Sequence, residues 1–269
     1  MHHDTPAPST DAVVTPWSLP VTTERVLGLI EHMDLATARI ADVGAGTGYL
    51  SQFLSEAFTA RGLDPAEHVF ACDLIPESFA CDAVTCAAVY EDGRLPFDDE
   101  QFDAVISVEV VEHVEDHFAF MRELGRIAKP GGVVIVTTPN TLNINSRIRT
   151  LMTGFPVLFD PLPLDEHDPR HLGGHIHPVS PYYLAYAARR AGLENPTFHA
   201  DRTKKSAVFL TLLLAPLLLL GGWMFRAHQR RRQPDVLRDN AAMVKEVQGW
   251  GILTCRTAVL RAVKPARAV

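Results

Sequence analysis

The run Ile40-Ala41-Asp42-Val43-Gly44-Ala45-Gly46-Thr47-Gly48-Tyr49-Leu50 constrains the fold more than any other stretch of this chain. It reads as a short apolar strand, a glycine-rich turn and the start of a helix. Glycines at alternate positions permit left-handed backbone and let a ligand come close to the main chain. The first N–H groups of a helix have no partner within it, so they are free to face that ligand. Asp42, near the strand end, adds an acceptor. The dinucleotide fingerprint sets its last glycine three positions after the second. The spacing here is G-x-G-x-G, which disfavours a nicotinamide cofactor.

The flanks extend the pattern. Apolar Val26, Leu29, Ile30 and Met33 recur at helical spacing and predict a helix over residues 22–39. Leu50, Phe53, Leu54 and Phe58 mark a second helix that stops near Arg61-Gly62, ahead of Asp64-Pro65. A strand at 69–72 then ends on Asp73. Strand, loop, helix and strand in this order make one α/β unit. A carboxylate beyond the second strand commonly takes a ribose hydroxyl; the plain alternative for Asp73 is a turn acid or helix cap. Further along come a weak strand at 87–90 followed by Glu91-Asp92-Gly93, a strand at 102–108 and a helix at 114–127. The turn Lys129-Pro130-Gly131-Gly132 leads to a strand at 133–137, nearly all β-branched, as a strand buried on both faces should be. This alternation predicts an α/β fold with a doubly wound, mostly parallel sheet. A ligand then belongs at the carboxyl ends of the strands. Asp42, Asp73, Asp92, Glu109 and Asn140 all fall at or just past such ends.

These residues resemble the class I S-adenosylmethionine-dependent methyltransferases, of the type 11 and quinone-pathway O-methyltransferase kind. The resemblance covers residues 22–136 well and the chain beyond loosely. It rests on Asp42 through Gly48, on Cys72-Asp73, on Asp92-Gly93 with Leu95-Pro96-Phe97, on FDAVISVEVVEHVED at 102–116 and on LGRIAKPGGVVIVTTPN at 124–140. It implies a Rossmann-like, seven-stranded sheet whose last strand enters antiparallel beside the sixth. It also implies S-adenosylmethionine as cofactor. By resemblance, the backbone from Asp42 through Gly44, Ala45, Gly46 and Gly48 holds the methionine moiety. Asp73 receives both ribose hydroxyls, Asp92 meets the adenine amine with Gly93 and Leu74 near the ring, and Val108 and Glu109 line the inner wall. Ala45 is a departure, because many relatives carry cysteine or a larger residue there. The chemistry asks for alignment of donor and acceptor and, for a hydroxyl acceptor, a base.

Glu109, Glu112 and His113 form E-x-x-E-H, with His167-Asp168-Pro169-Arg170-His171, His175 and His177 further on. Glu109 is expected in the loop after the fourth strand, with Glu112-His113 opening the helix. Two functional readings stay open beside a purely structural one. In the first, His113 is the catalytic base, assisted by His175 or His177. In the second, Glu109, Glu112 and His113 with one of His175 or His177, His177 preferred, hold Mg²⁺, Mn²⁺ or Zn²⁺. The motif resembles that of quinone-pathway O-methyltransferases. It also resembles that of methyltransferases acting on RNA 3′ ends, whose phenylalanine-rich stretch is absent here. The expected reaction is methyl transfer to a hydroxyl of a small molecule, lipid or lipid-linked saccharide. The alternatives are N-methylation of a metabolite, metal-dependent RNA 3′-end 2′-O-methylation, and a noncatalytic scaffold on the same fold.

Residues 141–181 are too long for a simple connection, and Phe155, Pro156, Leu158, Phe159 and Leu162 predict a folded lid over the acceptor. Helix 182–190 and a sixth strand at 195–200 follow, and a final strand is expected at 251–260. Between them, residues 207–225 carry no charge and are rich in leucine, long enough to approach a bilayer span. Segment 202–232 holds seven basic residues and no acid, so the rest of the chain sums to −14 against −7 for the whole. A last strand in the same sheet cannot arrive from across a membrane. Residues 203–232 are therefore expected to bend near Pro216 or Gly221-Gly222 and face an anionic membrane without crossing it. A homodimer interface is the alternative use of the same surface.

With 269 residues, one substantial core is expected over 21–269, preceded by a flexible arm at 1–20. Four cysteines without a C-x-x-C pair suit reduced thiols and a cytoplasmic protein, peripheral at the inner membrane face. The acidic body disfavours nucleic acid as a partner, because such binding rests on phosphate neutralisation.

Overall fold

The computed structural model describes residues 13–16, 18–165 and 174–267. The chain forms two compact units. One comprises the chain through Val108, Ala119–Ile135 and the stretch from Val263; the other comprises Glu109–Phe118 and Val136–Ala262.

The first unit is built on β1 (Ile40–Val43), β2 (Val69–Asp73), β3 (Cys86–Ala88) and β4 (Phe102–Val108). β1 pairs parallel with both β2 and β4, with Ile40 opposite Val69 and Ala104, and β2 pairs parallel with β3. Ile40, Ala41, Ala104, Val105 and Ile106 are wholly buried, as strands covered on both faces require. α1 (Pro20–Gly28), α2 (Tyr49–Thr59), α3 (Pro65–His68) and α4 (His117–Ile127) accompany them. β5 (Ala128–Pro139) follows α4.

After β5 come α5 (Ile144–Thr153), α6 (Pro181–Arg190), β6 (Glu194–Ala200), α7 (Lys205–Leu213) and α8 (Ala215–Arg232). The short helices α9 (Pro234–Asp239), α10 (Ala241–Val247) and α11 (Trp250–Thr254) lead to β7 (Thr257–Val263). Seven strands make one sheet in the order β3-β2-β1-β4-β5-β7-β6. The Gly131 N–H donates to the Lys264 carbonyl at 2.8 Å, and the Asn140 N–H to the Arg256 carbonyl at 2.9 Å. Numbers rise along β5 as they fall along β7, so the last strand is antiparallel. The fold is the expected one.

Several element bounds differ from expectation. The helix expected over 22–39 ends at Gly28. Beyond it the N–H groups of Leu29, Ile30 and Met33 donate to the carbonyls of Val26, Leu27 and Ile30, three residues back, so the chain runs on in turns, and Asp34 holds a further turn by accepting from the Ala36 N–H and the Thr37 hydroxyl. The helix expected from 114 begins at His117, because the Glu112 carbonyl accepts from the His177 N–H rather than from a following helical turn. Residues 129–132 do not form a separate turn; β5 extends back through them by pairing with Lys264. The third strand lies at Cys86–Ala88 rather than 87–90. Of the segment expected as a last strand at 251–260, the first part is helical and the strand starts at Thr257.

The cause of that last shift is Asn140. Its side chain is buried at 1% exposure and donates to the Ile252 carbonyl at 2.7 Å and the Cys255 carbonyl at 3.3 Å. Asp201 Oδ1 accepts from the N–H groups of Arg256 and Thr257 at 3.2 and 3.0 Å. Together they set where helix gives way to strand. The expected lid contains α5, capped by the Asn143 side chain on the Ser146 N–H and closed by Gly154 at φ +83°. Residues 166–173, which include His167, Asp168, Arg170 and His171, lie outside the described residues, as do residues 1–12 of the expected arm. Within that arm, Thr15 exchanges two hydrogen bonds with the Thr47 hydroxyl.

Replacing Asn140 by alanine leaves two buried carbonyls without this donor. Urea unfolding should show a loss of about 2–4 kcal/mol, larger than for Asn145→Ala, whose amide makes an exposed hydrogen bond.

Candidate active site

The glycine loop is stretched between β1 and α2. Gly44, Gly46 and Gly48 have φ of +75°, +54° and +89°, which side-chain-bearing residues rarely adopt. A Cβ on Gly48 would come within 2.8 Å of Phe79 Cε2 and 2.9 Å of Cys81 Cβ. The N–H groups of Gly44 and Ala45 donate to the Cys72 carbonyl, which ties the loop to β2. Asp73 completes the tie. Its Oδ2 accepts from the Gly46 N–H at 2.8 Å and its Oδ1 from the Ile75 N–H at 2.9 Å. The carboxylate expected at the second strand end therefore also shapes the loop it serves.

Asp42 lies beneath the loop at 2% exposure and accepts from Ser51 Oγ at 2.7 Å. Burial pushes its pKa up to about 7, with the Ser51 hydrogen bond opposing and Asp73 adding to the rise. Leu74 follows Asp73 and is exposed. Asp92 is exposed in a turn, where Oδ1 accepts from the Arg94 N–H at 3.0 Å and Gly93 takes φ +80°. Val108 ends β4 half-buried, whereas Phe102 and Ala104 through Ser107 are buried.

In the second unit, Glu109 has a left-handed backbone, φ +53°, held by its N–H on Thr137 Oγ1 at 2.9 Å. Its carboxylate accepts from Thr257 Oγ1 at 3.1 Å and lies 4.0 Å from Arg256 Nη1. Burial raises its pKa, and Arg256 and Thr257 hold part of that rise back. Glu112 and His113 sit in the single 3₁₀ turn Val111–His113. Glu112 is wholly buried and neither carboxylate oxygen has a hydrogen-bond partner among the described residues. Burial pushes its pKa up to about 8. The Thr138 hydroxyl opposes that rise slightly without hydrogen-bond geometry.

His113 Nδ1 is 2.8 Å from the Gly174 carbonyl, and His175 Nδ1 is 2.7 Å from the Leu158 carbonyl. A carbonyl only accepts, so both Nδ1 atoms carry the proton and both Nε2 atoms keep a lone pair. The rings meet edge-on at 4.9 Å between centroids. Burial, then His175, depress the His113 pKa, so its ring is neutral at pH 7. Glu112, His113 and His175 offer ligand atoms all within 4.8 Å of one another. The set expected from sequence included Glu109 and left the later histidine as His175 or His177, with His177 preferred; the structure brings His175 to it. The structure turns the Glu109 carboxylate to Thr257 and Arg256, and His177 against the His117 ring at 4.4 Å.

Sequence reasoning missed Thr137, Asp201, Arg256 and Thr257, which surround Glu109. They come from three separate strand regions, and no local spacing relates them. Arg256 Nη1 and Asp201 Oδ2 are themselves buried without a hydrogen-bond partner among the described residues.

Residues 41–136 match the methyltransferase domain family. The ubiquinone biosynthesis O-methyltransferase of Pseudomonas entomophila (strain L48) is 30% identical over 172 residues, 63% of this chain and 70% of that protein. This chain belongs to the class I S-adenosylmethionine-dependent methyltransferases. The corresponding enzyme of Pseudomonas fluorescens (strain SBW25) is also 30% identical, over 175 residues, with the same coverage. In fold, the methyltransferase resembles one solved with the Trm112 methyltransferase activator of Haloferax volcanii. That likeness has a TM-score of 0.53 at 19% identity, over 93% of this chain and 90% of that one. A SAM-dependent methyltransferase from Archaeoglobus fulgidus gives 0.51 at 15% identity, over 91% and 93%. The cofactor of this methyltransferase is S-adenosylmethionine, and the loop suits it. Three left-handed glycines expose main chain, and a carboxylate stands at the end of β2.

Gly48→Ala and Asp73→Ala should each weaken S-adenosylhomocysteine binding more than about tenfold by titration calorimetry, with the secondary structure retained. Asp42 makes a pH-dependent contribution. Its pKa rises on folding, so the folded state keeps a proton that the unfolded chain loses between about pH 4 and 7. Stability of the cofactor-free enzyme should fall across that window and level off above it. Asp42→Asn should reduce the fall between pH 5 and pH 8 by about 3 kcal/mol at most, as read from urea unfolding at those two pH values.

Proposed function

We propose that this methyltransferase methylates a hydroxyl oxygen of a small, lipid-like acceptor, with His113 as the base. The observation that carries this reading is the hydrogen bond from His113 Nδ1 to the Gly174 carbonyl. It leaves Nε2 unprotonated and ready to take a hydroxyl proton as the oxygen attacks the methyl group. S-adenosylmethionine supplies that methyl on an already activated sulfonium. His175 orients the acceptor beside His113, and Phe159 packs on its ring at 5.2 Å between centroids. The Pseudomonas relatives are O-methyltransferases by name, which supports oxygen over nitrogen.

In the cofactor site, the loop from Asp42 through Gly44, Ala45, Gly46 and Gly48 receives the methionine part. Asp73 receives the ribose hydroxyls, and Asp92, Gly93 and Leu74 the adenine. Val108 and the Glu109 main chain form the inner wall. The acceptor's lipid character draws support from the exposed leucines after β6, and the enzyme works peripherally against an anionic membrane.

A second reading is a divalent cation on Glu112, His113 and His175. One observation favours it: a wholly buried carboxylate with two unpartnered oxygens faces two imidazoles whose Nδ1 atoms are already tied to carbonyls. Such ties are the usual support of metal-binding histidines. The cation would orient and polarise the acceptor hydroxyl.

Screening lipid and aqueous extracts with methyl-labelled cofactor identifies the acceptor. His113→Ala should lower turnover at least about a hundredfold and leave S-adenosylhomocysteine affinity within about twofold. Unchanged turnover would remove His113 from the reaction. Elemental analysis of protein purified without chelator, with Mg²⁺, Mn²⁺ and Zn²⁺ added back, separates the two readings. No bound ion and no response to any of them rules out the metal.

A further inference from the structure

We infer that the distal turn of α5 and the bent pair α7–α8 form one apolar face that docks into a single leaflet of an anionic phospholipid bilayer; this rests on the reading of a lipid-like acceptor. The segment leaves and re-enters the unit at one place. Thr203 bridges Cys255 antiparallel, and the Lys204 N–H donates to the Thr254 carbonyl at 3.0 Å. A chain fastened at both ends to the same β-bridge cannot end on the far side of a membrane.

Length agrees. Among the described residues no single helix is long and apolar enough to cross a membrane, but α7 and α8 pass together as a pair bent by 69°. The bend falls at Leu214, and Pro216 occupies the first turn of α8, where its missing N–H costs no hydrogen bond. Gly221-Gly222 remains helical. Nine residues of α7 reach about 14 Å, roughly half the hydrocarbon thickness.

Exposure agrees as well. α7 buries only Ala207 and Thr211, and α8 buries nothing. Phe209, Leu212, Leu213, Leu217, Leu219 and Trp223 are all more than 60% exposed. Apolar side chains all around a helix mark one made for burial, and the described residues do not provide it. α5 widens the face. It packs on α7, with Asn145 bonded to Ser206 near the start of both helices. Their distal turns carry Leu151 and Met152, 87% and 78% exposed, and Leu212 and Leu213.

Charge selects the partner. Arg202, Lys204 and Lys205 precede the apolar run and Arg226, Arg230, Arg231 and Arg232 follow it, with no acid between 202 and 232. Cationic residues flanking buried apolar surface match anionic headgroups, and Trp223 suits the interfacial zone. A second copy fits less well, because a twofold contact sets the same patch against itself and would bring these basic residues together. The inclusion of Leu151 and Met152 places part of the 141–181 segment at the bilayer, where a lipid-tailed acceptor would enter.

The test is flotation of the full chain with phosphatidylcholine vesicles, with and without phosphatidylglycerol. Wild type should float with anionic vesicles and stay behind with neutral ones or in high salt. Leu219→Glu with Leu220→Glu should abolish flotation, and Leu151→Ser with Met152→Ser should reduce it severalfold. S-adenosylhomocysteine binding and thermal midpoint should be unchanged in both. Arg230, Arg231 and Arg232 changed together to glutamine should weaken partitioning about tenfold or more. Wild type that does not float, or variants that float equally, would overturn the proposal. So would a dimer in light scattering that Leu219→Glu with Leu220→Glu dissociates. Flotation with label found only in aqueous products would retain the membrane face and reject the lipid acceptor. Label in lipid products without flotation would do the reverse.

Discussion

The amide of Asn140 donates to the carbonyls of Ile252 and Cys255 at the point where the chain re-enters the sheet. Asp201 meets the same turn from β6's side through the N–H groups of Arg256 and Thr257. Between them they place β7 in the gap between β5 and β6. Much of the second unit follows. The Glu109 carboxylate gains Thr257 and Arg256 as neighbours. The segment from α7 to α11 becomes a closed excursion whose ends meet at the Thr203–Cys255 bridge. A buried side-chain amide can carry this weight because an unmade hydrogen bond in the interior costs more than a made one gains.

The two sets of acids behave differently for one physical reason. Asp73 accepts two N–H bonds at the surface of the glycine loop and orders the backbone around it. Asp42 and Glu112 are buried deeper, and burial raises the pKa of each. Desolvation disfavours the ionised form wherever no cation or donor offsets it. A methyltransferase tolerates this because methyl transfer asks chiefly for alignment. Buried acids can therefore hold neighbouring groups in place without entering the reaction. Within the cluster, His113 and His175 each present a free Nε2 lone pair, and each owes that to a backbone carbonyl on its Nδ1.

Local signals were legible in this chain wherever one short segment decides its own structure. The strand Phe102–Val108 lies where its apolar run predicts it, and the second helix ends before Gly62 at φ +74°. Gly44, Gly46 and Gly48 are left-handed as their spacing implies. Periodicity misled where a distant partner captured a backbone group. Ile30 and Met33 keep helical spacing but lie in i→i−3 turns past Gly28, and Asp34 fixes the next turn. His177 took the Glu112 carbonyl and delayed α4. For the second histidine of the cluster, spacing from Glu112 and His113 could not choose between His175 and His177. The two are two positions apart, so an extended stretch would set both on one face, and the choice rests on which carbonyl each ring meets.

The sequence by itself determined the α/β class, the placement of acids at strand ends, the donor of the methyl group and a leucine-rich segment between basic flanks. Each depends on residue type and short-range spacing, which the chain carries directly. Tertiary structure decided that β7 starts at Thr257, that His175 joins Glu112 and His113, and that Arg256, Thr257 and Thr137 enclose Glu109. It also decided that the bend falls at Leu214, with Leu151 and Met152 exposed on a helix packed against α7. These outcomes depend on which buried donors find which acceptors across more than a hundred residues of chain, as Asn140 and Cys255 do, and that pairing exists only once the sheet has closed.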